Sequence, residues 1–287
     1  MLKINTFDLS EILLYFSIWV TLYFLLCVLN PTRSYEWHCR TVTVIHAVLI
    51  TFLALYCMYV IGPWPFTHAG GPNSPEQIRI VGLCLGYFLF DLGWCLYFKT
   101  EGPVMLAHHF LSIVGLSWCL IAGAYGTELV ATIGGAEMTN PLLQLRWFMR
   151  NTGCYKTLWG DVVDITFMCL FGFVRIILGS MLLYSYFQQD TDFWGRVGGV
   201  SIYLIGWIFF VGILNYAVKK YVRRFRVWLQ KDRPSPNNCS TPLYDCDMKD
   251  NVGLISQKEI PTQREIKDGS FGLSLRKNCL IQGSIDS

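Results

Sequence analysis

The chain has 287 residues, 53% of them hydrophobic and only 15% charged. A soluble domain typically carries about 25% charged residues, so this composition excludes an ordinary water-soluble fold. The formal net charge of +3 comes with no basic soluble module, which excludes a nucleic-acid-binding function and leaves no nucleic acid among the expected partners.

Seven apolar segments follow one another along the chain, at residues 12–30, 41–62, 80–98, 104–126, 129–145, 162–187 and 197–218. Most approach the roughly 20 residues that cross a hydrocarbon core as helix. Backbone groups cannot be satisfied by lipid, so helices are the reading at these lengths. The expected fold class is all-α, a multi-pass transmembrane helical bundle of about seven spans around a lipid-accessible cavity. The first segment is too long for a secretory h-region and no A-x-A-like site follows it, so it reads as a retained span. Between the second and third segments, Trp64-Pro65-Phe66 and Gly70-Gly71-Pro72 predict a rigid, turn-rich cap. The fifth segment contains Gly134, Gly135 and Pro141 and is the least regular.

After the last segment come Lys219, Lys220, Arg223, Arg224, Arg226, Lys231 and Arg233. By the positive-inside rule this cluster faces the cytosol, where anionic lipid is its expected partner. With seven spans, short cytosolic connections hold six basic residues (Arg33, Arg40, Lys99, Arg146, Arg150 and Lys156) and the other side three (Lys3, Arg79 and Arg196). A re-entrant fifth segment, with six spans, separates them less well. The chain divides into a first helix with its flanks (1–34), a core domain (35–226) and a polar, disordered cytosolic tail (227–287). The tail holds the sequon Asn238-Cys239-Ser240, which lies on the wrong side for glycosylation. The expected location is the endoplasmic reticulum or plasma membrane.

The functional signal is polar residues buried at one depth. At 1.5 Å per residue, His46, Asp91, His108, His109 and Asn140 all fall about 7–11 Å inside the cytosolic boundary. An ionisable group inside a bilayer is a functional-site hypothesis by default. His108, His109 and Asp91 are the candidate catalytic residues, since an acid beside an imidazole sets its tautomer. His46, Ser112, Tyr87, Asn140, Glu137 and Arg175 are the candidate lining that would touch substrate. Either imidazole could reach Ser112, one helical turn away. Arg175, near mid-membrane, is expected to pair with Glu137. A single stripe is expected for Glu137, Asn140 and Gln144. No metal is expected, because the chain has five histidines without H-x-x-H-H clusters and eleven cysteines without C-x-x-C. No cofactor is expected either, with acyl-coenzyme A a possible substrate.

The segments Trp37–Arg40 with His46, Gly86-Tyr87-Phe88-Leu89-Phe90-Asp91, His108-His109-Phe110-Leu111-Ser112 and Glu137-Met138-Thr139-Asn140-Pro141 resemble the TLC domain, the membrane family that includes the ceramide synthases. The resemblance covers residues 35–226. It implies a helical barrel around a lipid-sized cavity, with His108 and His109 acting as base and nucleophile in acyl transfer and Ser112 replacing a threonine. Ceramide synthases carry a further His-Asp and Asp after an Asn-x-x-Arg, whereas Glu137–Gly153 here contains no histidine. Two functions follow from different classes: lipid binding, sensing or lipid homeostasis without turnover, and lipid acyl transfer or hydrolysis.

Overall fold

The computed structural model describes residues 9–231. The first residues of the expected tail, 227–231, form the end of the last helix, and the rest, with its sequon and cysteines, lies outside the described residues. Nine α-helices run in chain order: α1 (Leu9–Leu29), α2 (Tyr35–Tyr56), α3 (Pro75–Phe98), α4 (Pro103–Ala122), α5 (Gly126–Met138), α6 (Asn140–Asn151), α7 (Leu158–Phe171), α8 (Gly179–Gln188) and α9 (Phe193–Lys231). π-Helical turns extend α2 through Cys57–Ile61 and join α7 to α8 through Gly172–Leu178. The described residues contain no strand beyond an isolated bridge, Pro72 to Ala124. The all-α, multi-pass bundle is therefore the observed fold.

Among the described residues, six helical stretches are long and apolar enough to cross a membrane. The seventh passage is made differently. Gly126, where α5 begins, donates its N–H to Asn73 Oδ1 at 2.7 Å beside the start of α3. Gly134 meets Ala54, Glu137 meets His46, and Trp147 of α6 meets Trp37 near the start of α2. Thus α5 and α6 together run antiparallel to α2 along its length, as two half-helices. Pro141 causes the break. It sits in the first turn of α6 and lacks the N–H that would bond the Glu137 carbonyl. The glycines serve packing instead: a Cβ on Gly134 would lie 2.7 Å from the Ala54 Cβ, so small residues bring α5 against α2.

The passages alternate between two ends. At the cap end, the Asn73 side-chain amide donates to the Cys119 carbonyl at 2.9 Å, the Ala69 N–H reaches Gln189 Oε1 at 2.6 Å, and Ser185 Oγ donates to the Phe66 carbonyl. The turn-rich loop thereby staples α4, α5 and α8. Its helix, α3, starts at Pro75 rather than 80, because Ser74 and Gln77 form a capping box with Pro75 in the first turn. At the basic end, Asp164 of α7 takes Arg146 Nε at 2.6 Å, Lys220 Nζ at 2.5 Å and the Tyr155 hydroxyl. Lys220 also pairs with Asp161 at 2.9 Å, and Arg224 joins Asp161. Arg146, Asp164 and Lys220 have little water around them and hold α6, α7 and α9 together by mutual compensation, while Arg224 is exposed. A small pocket opens here, between Arg146, Asp164, Phe167, Tyr216 and Lys220.

Candidate functional site

Packing of α1 on α3 builds the first wall of the site. A Cβ on Gly86 would sit 2.8 Å from the Phe16 backbone nitrogen, so only glycine admits α1 this closely. Trp19 of α1 then donates its indole N–H to the Leu83 carbonyl at 3.1 Å. Its ring meets His46 edge-on at 5.3 Å and Tyr87 at 5.7 Å. Neither Trp19 nor α1 had a polar signal in the sequence to announce this role.

His46 is fully buried. Its ring stacks on Tyr87 at 3.6 Å, and the Tyr87 hydroxyl donates to Thr43 Oγ1 at 3.0 Å. Tyr87 is thus a satisfied shelf beneath the imidazole. Nδ1 of His46 lies 3.5 Å from Glu137 Oε2, and the Asn140 amide donates to that same oxygen at 2.8 Å. The break after α5 turns Asn140 back onto Glu137.

Arg175 does not form the expected ion pair with Glu137. Its Nη2 donates instead to the Ala136 carbonyl at 2.8 Å, next door in sequence, while its guanidinium lies 5.1 Å over Phe171. Arg175 lies in the π-helical turn Gly172–Leu178, where the helical register departs from 3.6 residues per turn. Asp164 itself is drawn to the basic end. Gln144 continues along α2, where its Oε1 accepts from Arg40 Nη1 at 3.2 Å.

The paired histidines face different neighbours. His109 is buried, with Nε2 3.5 Å from Asp91 Oδ2. His108 is half-buried and lies between Phe88 at 6.0 Å and Phe209 of α9 at 5.6 Å. Phe88 touches all three rings, with His46 at 6.4 Å and His109 at 5.6 Å. It is the hub of the cluster, and sequence reasoning missed it because an apolar residue between motif positions reads as core. Ser112 is half-buried and has no hydrogen bond to either imidazole among the described residues. Aromatic rings of Phe88 and Phe209 pack beside them.

What these rings leave unsatisfied is chemically informative. Nε2 of His46, Nδ1 of His108, Nδ1 of His109 and Nε of Arg175 are buried with no hydrogen-bond partner among the described residues, while Nδ1 of His46 has only the Glu137 carboxylate at 3.5 Å. An unmade bond at a buried polar atom costs about 1–3 kcal/mol, and each neutral imidazole offers one donor and one acceptor nitrogen. Such a group of atoms on three helical segments fits a polar headgroup bearing hydroxyl, amide or carbonyl functions, or a water chain. A family model described as the TLC domain matches residues 36–218, which contain every member of this cluster except Trp19.

Proposed function

This chain belongs to the TLC-domain family, and from that premise we propose that it binds membrane lipid through the polar group of His46, His108 and His109. A TLC domain on a multi-pass helical chain has a membrane lipid-related role. The binding mode is the finer reading. The observation that carries it is the set of unsatisfied imidazole nitrogens gathered around Phe88. A lipid headgroup supplies hydrogen bonds to these atoms, while its chains lie along the apolar surface of α4 and α9. Entry requires Phe209 to swing from His108. Tyr87, Glu137 and Asn140 hold His46 in place, and Arg175 lends its remaining N–H. The basic end is assigned to the cytosolic face, with exposed Lys219, Arg223 and Arg226 attracting anionic lipid. Within the family the motifs resemble the small members more than the synthases.

A second reading is favoured by one contact. Asp91 beside His109 Nε2 leaves Nδ1 of that ring unpartnered, the arrangement of an acid-oriented general base. Acyl transfer from acyl-coenzyme A, or hydrolysis, would then use His109 with His108.

The deciding experiment purifies the full chain in native-lipid nanodiscs and identifies bound lipid by native mass spectrometry. His108→Ala should lower lipid retention at least tenfold with the thermal midpoint within a few degrees of wild type. Unchanged retention of the same lipid would sink the binding reading. Incubation with labelled acyl-coenzyme A tests the second: an acylated lipid or acyl-histidine lost in both His108→Ala and His109→Ala replaces binding with turnover.

A further inference from the structure

Three metal-binding side chains meet near the basic end, beyond what lipid binding requires. The Asp91 carboxylate, Cys95 Sγ and a ring nitrogen of His109 all lie within 4.8 Å of one another. Asp91 and Cys95 are four residues apart on α3 and so rise from one face on successive turns. His109 comes across from α4. A fourth group, Cys39 of α2, donates its thiol to Asp91 Oδ1 at 3.6 Å. Cys39, Cys95 and His109 are each buried to more than nine-tenths.

We propose that Asp91, Cys95 and His109 bind one zinc-class divalent cation, with Cys39 beside its fourth position. Sulfur, nitrogen and carboxylate oxygen are the donors zinc takes, at bond lengths of about 2.0–2.3 Å. Tetrahedral coordination at those lengths separates donors by about 3.5 Å, so the three groups need to close by about an ångström. Small side-chain rotations on rigid helices achieve this. Charge supports the same ion. One thiolate, one carboxylate and a neutral imidazole sum with a divalent cation to zero, which suits an apolar surrounding where a net charge is costly. Cys39 keeps that balance as a thiol or gives way to water. The nearby cation, Arg40, is already compensated by Glu36 at 2.8 Å and Glu101 at 3.6 Å.

Location favours access as well. Cys95 lies three residues before the end of α3 and Cys39 four residues after the start of α2. The site is then about 5–6 Å inside its helix ends, within reach of a hydrated ion. Binding releases the Cys95 proton to solvent. With Nε2 of His109 turned to Asp91 and the metal, its Nδ1 remains with His108 and His46 to meet lipid.

The test uses the full chain purified in detergent without chelator. Elemental analysis should find about one zinc per chain. After removal with chelator, cobalt(II) titration should raise a thiolate-to-cobalt absorption band and tetrahedral visible bands. Cys95→Ser should abolish the thiolate band, and Asp91→Asn and His109→Gln should weaken cobalt at least tenfold. Cys119→Ser, a buried thiol at the cap end, should change nothing. A measurement on the unaltered chain covers variants that misfold: zinc should slow alkylation of Cys95 while leaving exposed Cys154 equally reactive. Absence of cobalt bands in the wild type, or Cys95 alkylation indifferent to zinc, overturns the site. His108→Ala separates the two readings, because it should lose lipid and keep cobalt.

Discussion

Glu101 sits in the short link between α3 and α4, where burial works against charge. Burial pushes its carboxyl up from 4.5 to about 7, although the Arg40 guanidinium pulls it down. One oxygen, Oε2, is buried without a partner among the described residues, and Arg40 is 3.6 Å from the other. A carboxyl whose folded pKa is raised stabilises the fold in its protonated form. That contribution is complete below the unfolded value of 4.5 and is lost as pH rises through about 7. Thermal midpoints measured from pH 5 to 8 should therefore fall more steeply for the wild type than for Glu101→Gln. Parallel curves for the two proteins would mean that the carboxyl is ionised throughout. The same contest governs Glu137, which has no water to call on and takes Asn140 and His46 as neighbours instead. Residue identity announced that such groups need partners. Which partners they take, above all Ala136 for Arg175, was set by neighbours remote in sequence.

Helix contacts turn on a few small residues. Gly86 belongs to the Gly-Tyr-Phe motif, yet its work is to let the α1 backbone approach α3. Trp19 then seals His46 and Tyr87 from the side. Gly86→Leu should force α1 outward, at about 1–3 kcal/mol for overpacking, and should expose His46. The check is a lowered thermal midpoint together with faster hydrogen exchange at residues of α2 near His46. Retained stability would show that α1 is not needed to close the site. The break between α5 and α6 works the other way, since Pro141 makes a local interruption into a functional bend. Proline announced the interruption from the sequence. Its consequence, Asn140 folded onto Glu137 and Gln144 onto Arg40, required the partner helix α2.

For the whole molecule, seven passages put the cap loop and the basic cluster at opposite ends. The two half-helices α5 and α6 are what make the count odd. A glycosylation acceptor inserted after His68, an exposed position in the cap loop, should acquire a glycan in cells. Insertion at Asn73 itself would break its bonds to Cys119 and Gly126. An acceptor placed after Lys231 should remain bare. Glycan on the latter alone would reverse the orientation drawn from Lys219, Arg223 and Arg226.

The sequence by itself determined the class of molecule and the level of its site. Apolar length forces helices where backbone groups have no water, and ionisable residues at one depth declare a shared neighbourhood because lipid tolerates few of them singly. Motif spacing also sufficed to show the family. Tertiary structure decided what a periodic count cannot carry. It chose the Ala136 carbonyl for Arg175 and Arg40 for Gln144, partners that no local pattern names. Phe88 and Trp19, apolar and silent in the sequence, pack the imidazoles into a close aromatic cluster. Cys39 and Cys95 look like ordinary small apolar residues on separate helices until folding brings both to Asp91. Helix–helix contact, not local pattern, determines which side chains share a site, because partners in a bundle are joined by packing across tens of residues of chain.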